Sequence, residues 1–503
     1  MTFSTPNEPY QQYLQTTRQA ADLNGAAALL QWDQEVYMPA KGAGFRARQL
    51  ATLAQQAHEL LTSEAYGKLL QELSAASLDE KAAANIRLSL EDYDKQKKLP
   101  SDFVSRLSVA SSKAYEAWIA ARRQNDFLLF APALEEIISL KKEEAERYGY
   151  EGHPYNALLD DYEKGATVAM LDPLFEDVKS RLSPLIAAIA RQPQTDNSVF
   201  HQTYPAPLQF EASNNILAAM GFDFEAGRQD YSEHPFTTSF SPEDVRVTTR
   251  ADEHDLANLL WSSIHEGGHA LYEQGLPAAQ YGLPLGQPAS LSIHESQSRI
   301  WENNIGRCLA VMQNLLPLLQ AYFPEQLKGR TPEELYRAAN QVKPSLIRTE
   351  ADELTYHFHV LIRYELEKAL LTGALTVADL PQAWNDSYEK HLGIRPTHDR
   401  EGVLQDIHWS HGSFGYFPTY SLGSFYAAQF WQQLQQDLSQ TKDKVAAGHF
   451  ADLTSWLRQH VFIYGRQYRS EALCRRITGK NLSLDSFLAY ATEKYQDLYS
   501  FTP

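Results

Sequence analysis

Apolar side chains recur every three or four residues over 8–30 and again over 46–75, with few β-branched residues among them, and this spacing predicts helices. Between the two, WDQEVYMPAKGAG breaks the pattern at Pro39, Gly42 and Gly44. The same periodicity predicts helices near 79–97, 101–123, 130–148 and 169–191, with Ser101 and Asp102 as the cap of one of them. Residues 192–205 read as a loop. Phe236–Phe240 and Val245–Thr249 are rich in Thr, Val and Phe, and Ser241, Pro242 and Glu243 join them as a turn, so a small hairpin is expected. Helical spacing returns over Leu256–Glu273, Leu291–Asn304, 332–342 and 346–371, the last with Arg348 in its first turn. A loop is expected over 393–402, and helices again over 424–499. The pattern is that of a mainly α protein.

Composition narrows the setting. A length of 503 residues suggests about three domains by length alone, but no linker divides the chain, and one unit over 1–503 is expected. The 45 basic and 63 acidic residues give a net charge of −18, which argues against nucleic acid and anionic membranes as partners. Cys308 and Cys474 are too few for a disulfide framework and read as reduced thiols of a cytosolic protein. The start, MTFSTPNEPYQQYLQ, lacks a basic stretch followed by an apolar run, and no secretory signal is expected. No apolar run reaches the roughly 18 residues of a membrane span. A soluble cytoplasmic protein is the expectation.

The chemistry gathers at WSSIHEGGHALYE. His265 and His269 stand four apart, on one face of a helix, and can offer two imidazole nitrogens to one metal ion. Glu266 points roughly 100° further round, beside the metal, where it can take a proton from water. Two ordinary surface or core histidines would read the same way, but Gly267 and Gly268 each cost a helix interior about 1 kcal/mol, so something must approach that backbone closely. A catalytic zinc keeps three protein ligands and an open position. Glu295 is the leading third candidate, after a loop rich in Gly and Pro, with His294 and Glu302 as rivals. Glu302 otherwise reads as a salt-bridging or supporting carboxylate, with Arg299 between it and Glu295.

HEGGH at 265–269 followed by HESQSRIWEN at 294–303 resembles the carboxypeptidase Taq family of thermostable metallocarboxypeptidases. More of that pattern follows in order: HPF at His234–Phe236, D-x-R-x-T at Asp244–Thr248, I-R-x-x-A-D at Ile347–Asp352 and G-x-x-Q-D-x-H-W at Gly402–Trp409. The resemblance covers essentially the whole chain. It implies a zincin-like fold with a deep central cleft, residues 1–200 forming a helical wall and 201–503 binding metal and substrate. It also implies a homodimer and broad specificity, with poor cleavage beside proline.

The reaction expected is release of single residues from peptide C-termini, with zinc, or cobalt in its place, held by His265, His269 and Glu295 and with Glu266 as general base. In the aromatic stretch 402–423, His408 and Tyr420 are the chosen oxyanion donors, against a merely packed loop. Arg348 by itself reads as a salt-bridged arginine; the resemblance makes it the clamp for the substrate's C-terminal carboxylate. The hairpin could pair with an extended peptide, placing His234 and Arg246 near the cleft, or be purely structural. Many related sites carry an acid four residues after the Glu ligand to orient the first histidine; Arg299 stands there, so Asp244 or Asp406 is the candidate partner of His265. An endo-acting oligopeptidase, a dipeptidyl exopeptidase and a non-catalytic helical binding protein remain as alternatives.

Overall fold

The computed structural model describes residues 8–501; residues 1–7, part of the stretch read for a secretory signal, lie outside it. The first helix, Glu8–Val36, runs through the expected break and stops short of Pro39, because Trp32 is buried on its inner face and extends the apolar stripe. The helix expected over 46–75 is two, Ala43–Thr62 and Glu64–Ser74, separated by Ser63, whose hydroxyl accepts from the Tyr66 N–H at 3.2 Å. Helices Glu80–Gln96, Ser101–Gln124 and Ala131–Tyr148 follow. Ser101 is not a cap: Pro100 precedes the helix and no side chain caps it. The loop 192–205 contains a single 3-10 turn, Ser198–Phe200.

The expected hairpin is part of a three-stranded sheet. Strands β1 (Gly227–Tyr231), β2 (Thr237–Ser241) and β3 (Asp244–Thr249) lie in the order β1-β3-β2. β2 runs antiparallel to β3, with Thr237 opposite Val247, and β1 runs parallel to β3, with Gly227 opposite Val245. β1 (GRQDY) has no apolar alternation. Its buried side chains are polar instead: Gln229 Nε2 donates to Ser213 Oγ at 2.8 Å, and Arg228 Nε to Asp230 Oδ2 at 2.7 Å. A Cβ on Gly227 would lie 2.4 Å from the Val245 carbonyl oxygen, so the strand's first position admits only glycine.

Behind β2 lies the helix Leu256–Gly275, which carries HEGGH and is capped by Asp255. The helix Leu291–Arg299, capped by Ser290, passes directly into a π-helical turn, Ile300–Ile305. It is wedged between the HEGGH helix and the helix Pro418–Asp437. Helix 346–371 begins ten residues late, at Tyr356, and ends at Thr372. Arg348 stands in a separate 3-10 turn, Arg348–Glu350. The Asp352 carboxylate causes the delay. It accepts from the N–H groups of Leu354 and Thr355 and from Thr355 Oγ1, at 2.9, 3.0 and 2.6 Å, holding the backbone out of the helix.

One apolar core runs from Phe103 to Tyr499, and a smaller one joins Tyr13, Tyr66, Leu70 and Tyr93 to Leu283. A cavity of about 750 Å³ opens between the N-terminal helices (Thr17, Tyr93, Lys95) and residues from Gly282 to His294 and Arg466 to Arg469. Among the described residues no helix is long and apolar enough to cross a membrane.

Candidate active site

Helical spacing puts the two imidazoles on one face, and the two glycines bring up the third group. A Cβ on Gly268 would lie 2.5 Å from the Gln297 oxygen and 2.7 Å from the Ser298 Cα, and one on Gly423 would lie 2.5 Å from the Glu295 Cγ. Two glycines on flanking helices therefore let the Leu291–Arg299 helix slide in far enough for Glu295 to face the histidines. Gly267 turns the other way, against Leu217 and Met220. Ligand atoms of His265, His269 and Glu295 lie within 4.8 Å of one another. Glu295 Oε2 is 3.7 Å from His265 Nε2 and 3.4 Å from His269 Nε2. Of the two rivals, neither His294 nor Glu302 joins this triangle; both stand behind it.

The donor set suits a divalent cation. Burial works to raise Glu295, but Arg299 and His265 outweigh it and hold its carboxyl well below the usual range. Glu302 is held ionised in the same way, against burial, by Arg307 and Arg299. Burial pushes His269 down to about 3, so its ring is neutral and its lone pair available. His265, although burial lowers it, is raised by Glu295 and Glu302. A site that draws a proton onto an imidazole between two carboxylates is one that favours positive charge, and two imidazoles with one carboxylate match the donor set of a catalytic zinc site.

Glu266 is buried with its carboxyl raised by burial. Thr237 on β2 reaches it, Oγ1 lying 2.8 Å from Oε2 and 2.9 Å from the Glu266 carbonyl oxygen. Sequence reasoning passed over Thr237; its only signal was a hydroxyl in the strand just ahead of the motif.

His265 Nδ1 meets Glu302 Oε2 at 2.8 Å. Its partner is thus neither Asp244, which is paired with Arg246, nor Asp406, which is paired with Arg348 and Arg363. The acid arrives seven residues after Glu295 rather than four; seven residues is nearly two helical turns, so Glu302 stands on the Glu295 face, inside the π-helical turn Ile300–Ile305. Arg299 does lie between the two acids, 2.6 Å from Glu295 Oε1 and 3.2 Å from Glu302 Oε2.

Arg348 is buried and salt-bridged, its Nε and Nη2 each 3.0 Å from Asp406 Oδ1, while Nη1 donates to the Tyr356 hydroxyl at 3.0 Å. An N–H remains on each of Nη1 and Nη2. Its guanidinium lies 4.8 Å from the Tyr420 ring centre, and the Tyr420 hydroxyl is 3.1 Å from His408 Nε2. Burial, with Arg348 next, pushes His408 down to about 3, so it is neutral. Arg299 sits 4.4 Å over the Tyr356 ring, which links Glu295 through Arg299 and Tyr356 to Arg348. Among the described residues, His234 and Arg246 make no hydrogen bond or ion pair with this cluster. His234 is exposed ahead of β2, and Arg246 is bound to Asp244 and packed over Trp32 at 4.9 Å.

Known proteins are similar to this chain over almost its whole length. Residues 12–495 match the carboxypeptidase Taq (M32) metallopeptidase family. Thermostable carboxypeptidase 1 of Thermus thermophilus is 40% identical, covering 98% of this chain and 100% of its own. Carboxypeptidase 1 of Bacillus subtilis is 39% identical over 94% of this chain and 95% of its own. The crystal structure of the M32 carboxypeptidase of Deinococcus radiodurans superposes with a TM-score of 0.96 at 38% identity, covering 98% of this chain and 100% of that one. A helical shell closed around two imidazoles, a facing carboxylate and an adjacent glutamate, matched end to end by proteins of one kind, leaves a single conclusion: the chain belongs to the carboxypeptidase Taq (M32) family and is a metallocarboxypeptidase.

Proposed function

We propose that the enzyme removes single amino acids from the free C-terminus of peptides, with one zinc ion (cobalt is the alternative) held by His265, His269 and Glu295. A divalent ion in that site supplies Lewis-acid activation of water and of the scissile carbonyl. The chain's own residues do the rest. Glu266 takes the proton of the attacking water, with Thr237 donating to Oε2 and so fixing its carboxylate, and returns the proton to the leaving amine. Tyr420, paired with the neutral His408, faces the developing oxyanion. Arg348 presents its two unused N–H groups to the terminal carboxylate, and Asp406, Tyr356 and the stacked Tyr420 hold the guanidinium rigid.

The observation that carries this reading is the linkage Glu295–Arg299–Tyr356–Arg348. It holds the carboxylate-binding arginine in fixed register with the ligand set, so a peptide end docked on Arg348 is presented to Glu266. β2 is an edge strand beside Glu266 and suits main-chain pairing with an extended substrate, with His234 ahead of it and Arg246 on β3 next to it. Family membership supports broad side-chain specificity, a homodimer and a cytoplasmic location as further parts of the proposal.

One peptide in two forms, with a free C-terminal carboxylate and with a C-terminal amide, tests it by mass-spectrometric time course with and without chelator. A ladder of single-residue losses from the acid form alone, abolished by chelator, is expected. Internal fragments from both forms would overturn the clamp in favour of endo-cleavage, and release of dipeptides would move it one residue outward.

A further inference from the structure

The nitrogens that face Glu295 are Nε2 of both histidines. Each ring must therefore carry its proton on Nδ1 when it binds a metal, and something must accept that proton's hydrogen bond. For His265 the acceptor is the Glu302 carboxylate. Among the described residues no carboxylate pairs with His269 Nδ1. Its Nδ1 lies 2.5 Å from Nδ1 of His294, and His294 Nε2 lies 2.7 Å from Glu273 Oε1. Once the His269 proton sits on Nδ1, only one arrangement satisfies the two contacts. His269 Nδ1–H donates to His294 Nδ1, and His294 Nε2–H donates to Glu273. The His294 ring is held in place besides, 4.6 Å from the His269 ring and 5.4 Å from Tyr272, whose hydroxyl accepts from the Ala289 N–H at 3.0 Å.

We propose that His294 and Glu273 are positioning residues for the metal site, an imidazole and its carboxylate acting in series to fix the tautomer and angle of His269. The two histidine ligands are then supported unequally: His265 directly by an acid, His269 through an intervening ring. Sequence spacing alone made His294 a rival ligand; its two occupied nitrogens give it another task. The inference rests on the reading of His265, His269 and Glu295 as the ligands.

The test measures zinc and cobalt affinity by chelator competition, the visible spectrum of the cobalt-loaded protein, and the thermal midpoint of the metal-free protein. The variants are His294→Phe, His294→Asn, Glu273→Ala and the double variant His294→Phe/Glu273→Ala. Loss of such support typically weakens binding by about 10- to 100-fold, which is expected of His294→Phe and Glu273→Ala with the metal-free midpoint unchanged. His294→Asn, which keeps an acceptor at the Nδ1 position, should recover most of the affinity. Because Glu273 acts through His294, the double variant should bind no worse than His294→Phe. Wild-type affinity in both single variants, or additive losses in the double, would overturn the series arrangement. A changed cobalt spectrum with no recovery in His294→Asn would make His294 a ligand and overturn it too. A wild-type protein that binds neither ion would instead sink the reading of the ligand set itself.

Discussion

Glu266 and Arg348 are both buried charged residues, but they are held for different tasks. Glu266 has one hydroxyl at its carboxylate and otherwise faces the ligand set. Its replacement by glutamine keeps the shape and removes the base. The expected result is a fall in kcat of about 10²- to 10⁴-fold with metal stoichiometry unchanged, checked by steady-state kinetics and metal analysis. Near wild-type turnover would remove Glu266 from the reaction. Arg348 is held by Asp406 and Tyr356 with N–H groups to spare. Hydrogen bonds to a charged partner are worth about 1.5–3 kcal/mol, so Arg348→Ala should cut the preference for a free-acid peptide over its amide by about 10- to 100-fold. Comparing kcat/KM for the two peptides decides it; a preference that survives intact would put the clamp elsewhere.

At the scale of elements, the ligand set depends on how closely two helices approach. Gly268 has no room for a side chain against Gln297 and Ser298. Overpacking of this kind costs about 1–3 kcal/mol, and here the displaced helix carries Glu295. Gly268→Ala should therefore lower both the denaturation midpoint and the zinc affinity, whereas a variant that binds zinc as the wild type does would show that the helices separate freely. This contact explains what the sequence disclosed and what it withheld. The HEGGH face was legible because both rings belong to one helix, and the glycine pair announced a close neighbour without naming it. Glu295 could be ranked among three candidates but not separated from them, since its facing depends on helix packing. Glu302 was legible as a supporting carboxylate on the Glu295 face, but not as the partner of His265, because that contact spans two helices and depends on how they pack. β1 escaped because its buried side chains, Gln229 and Asp230, are polar, and the late start at Tyr356 escaped because one aspartate competes with the helix for backbone N–H groups.

Over the whole molecule, distant segments are tied together at buried polar points, and Glu367 is the clearest. It is fully buried on the helix Tyr356–Thr372 and takes hydrogen bonds from three places: the Tyr155 hydroxyl, Trp409 Nε1 at 2.8 Å and the Gly415 N–H at 3.0 Å. It thus fastens the aromatic stretch that carries His408 to the N-terminal half of the chain. Burial raises its carboxyl to about 7 from 4.5, against the three donors and Arg363. The folded protein accordingly holds this proton more tightly than the unfolded chain does. Between pH 4.5 and 7 the folded state binds more protons than the unfolded one, so stability falls as pH rises through that window, by about 3 kcal/mol from this group. Below 4.5 both states are protonated and above 7 both are ionised, and the contribution is flat. Glu367→Gln cannot titrate. Urea denaturation of both proteins across pH 4.5–8 should show the wild type losing stability relative to the variant as pH rises through the window, then running parallel to it. Curves parallel throughout would mean that Glu367 keeps an ordinary carboxylate's pKa and that the three donors, not burial, decide its charge.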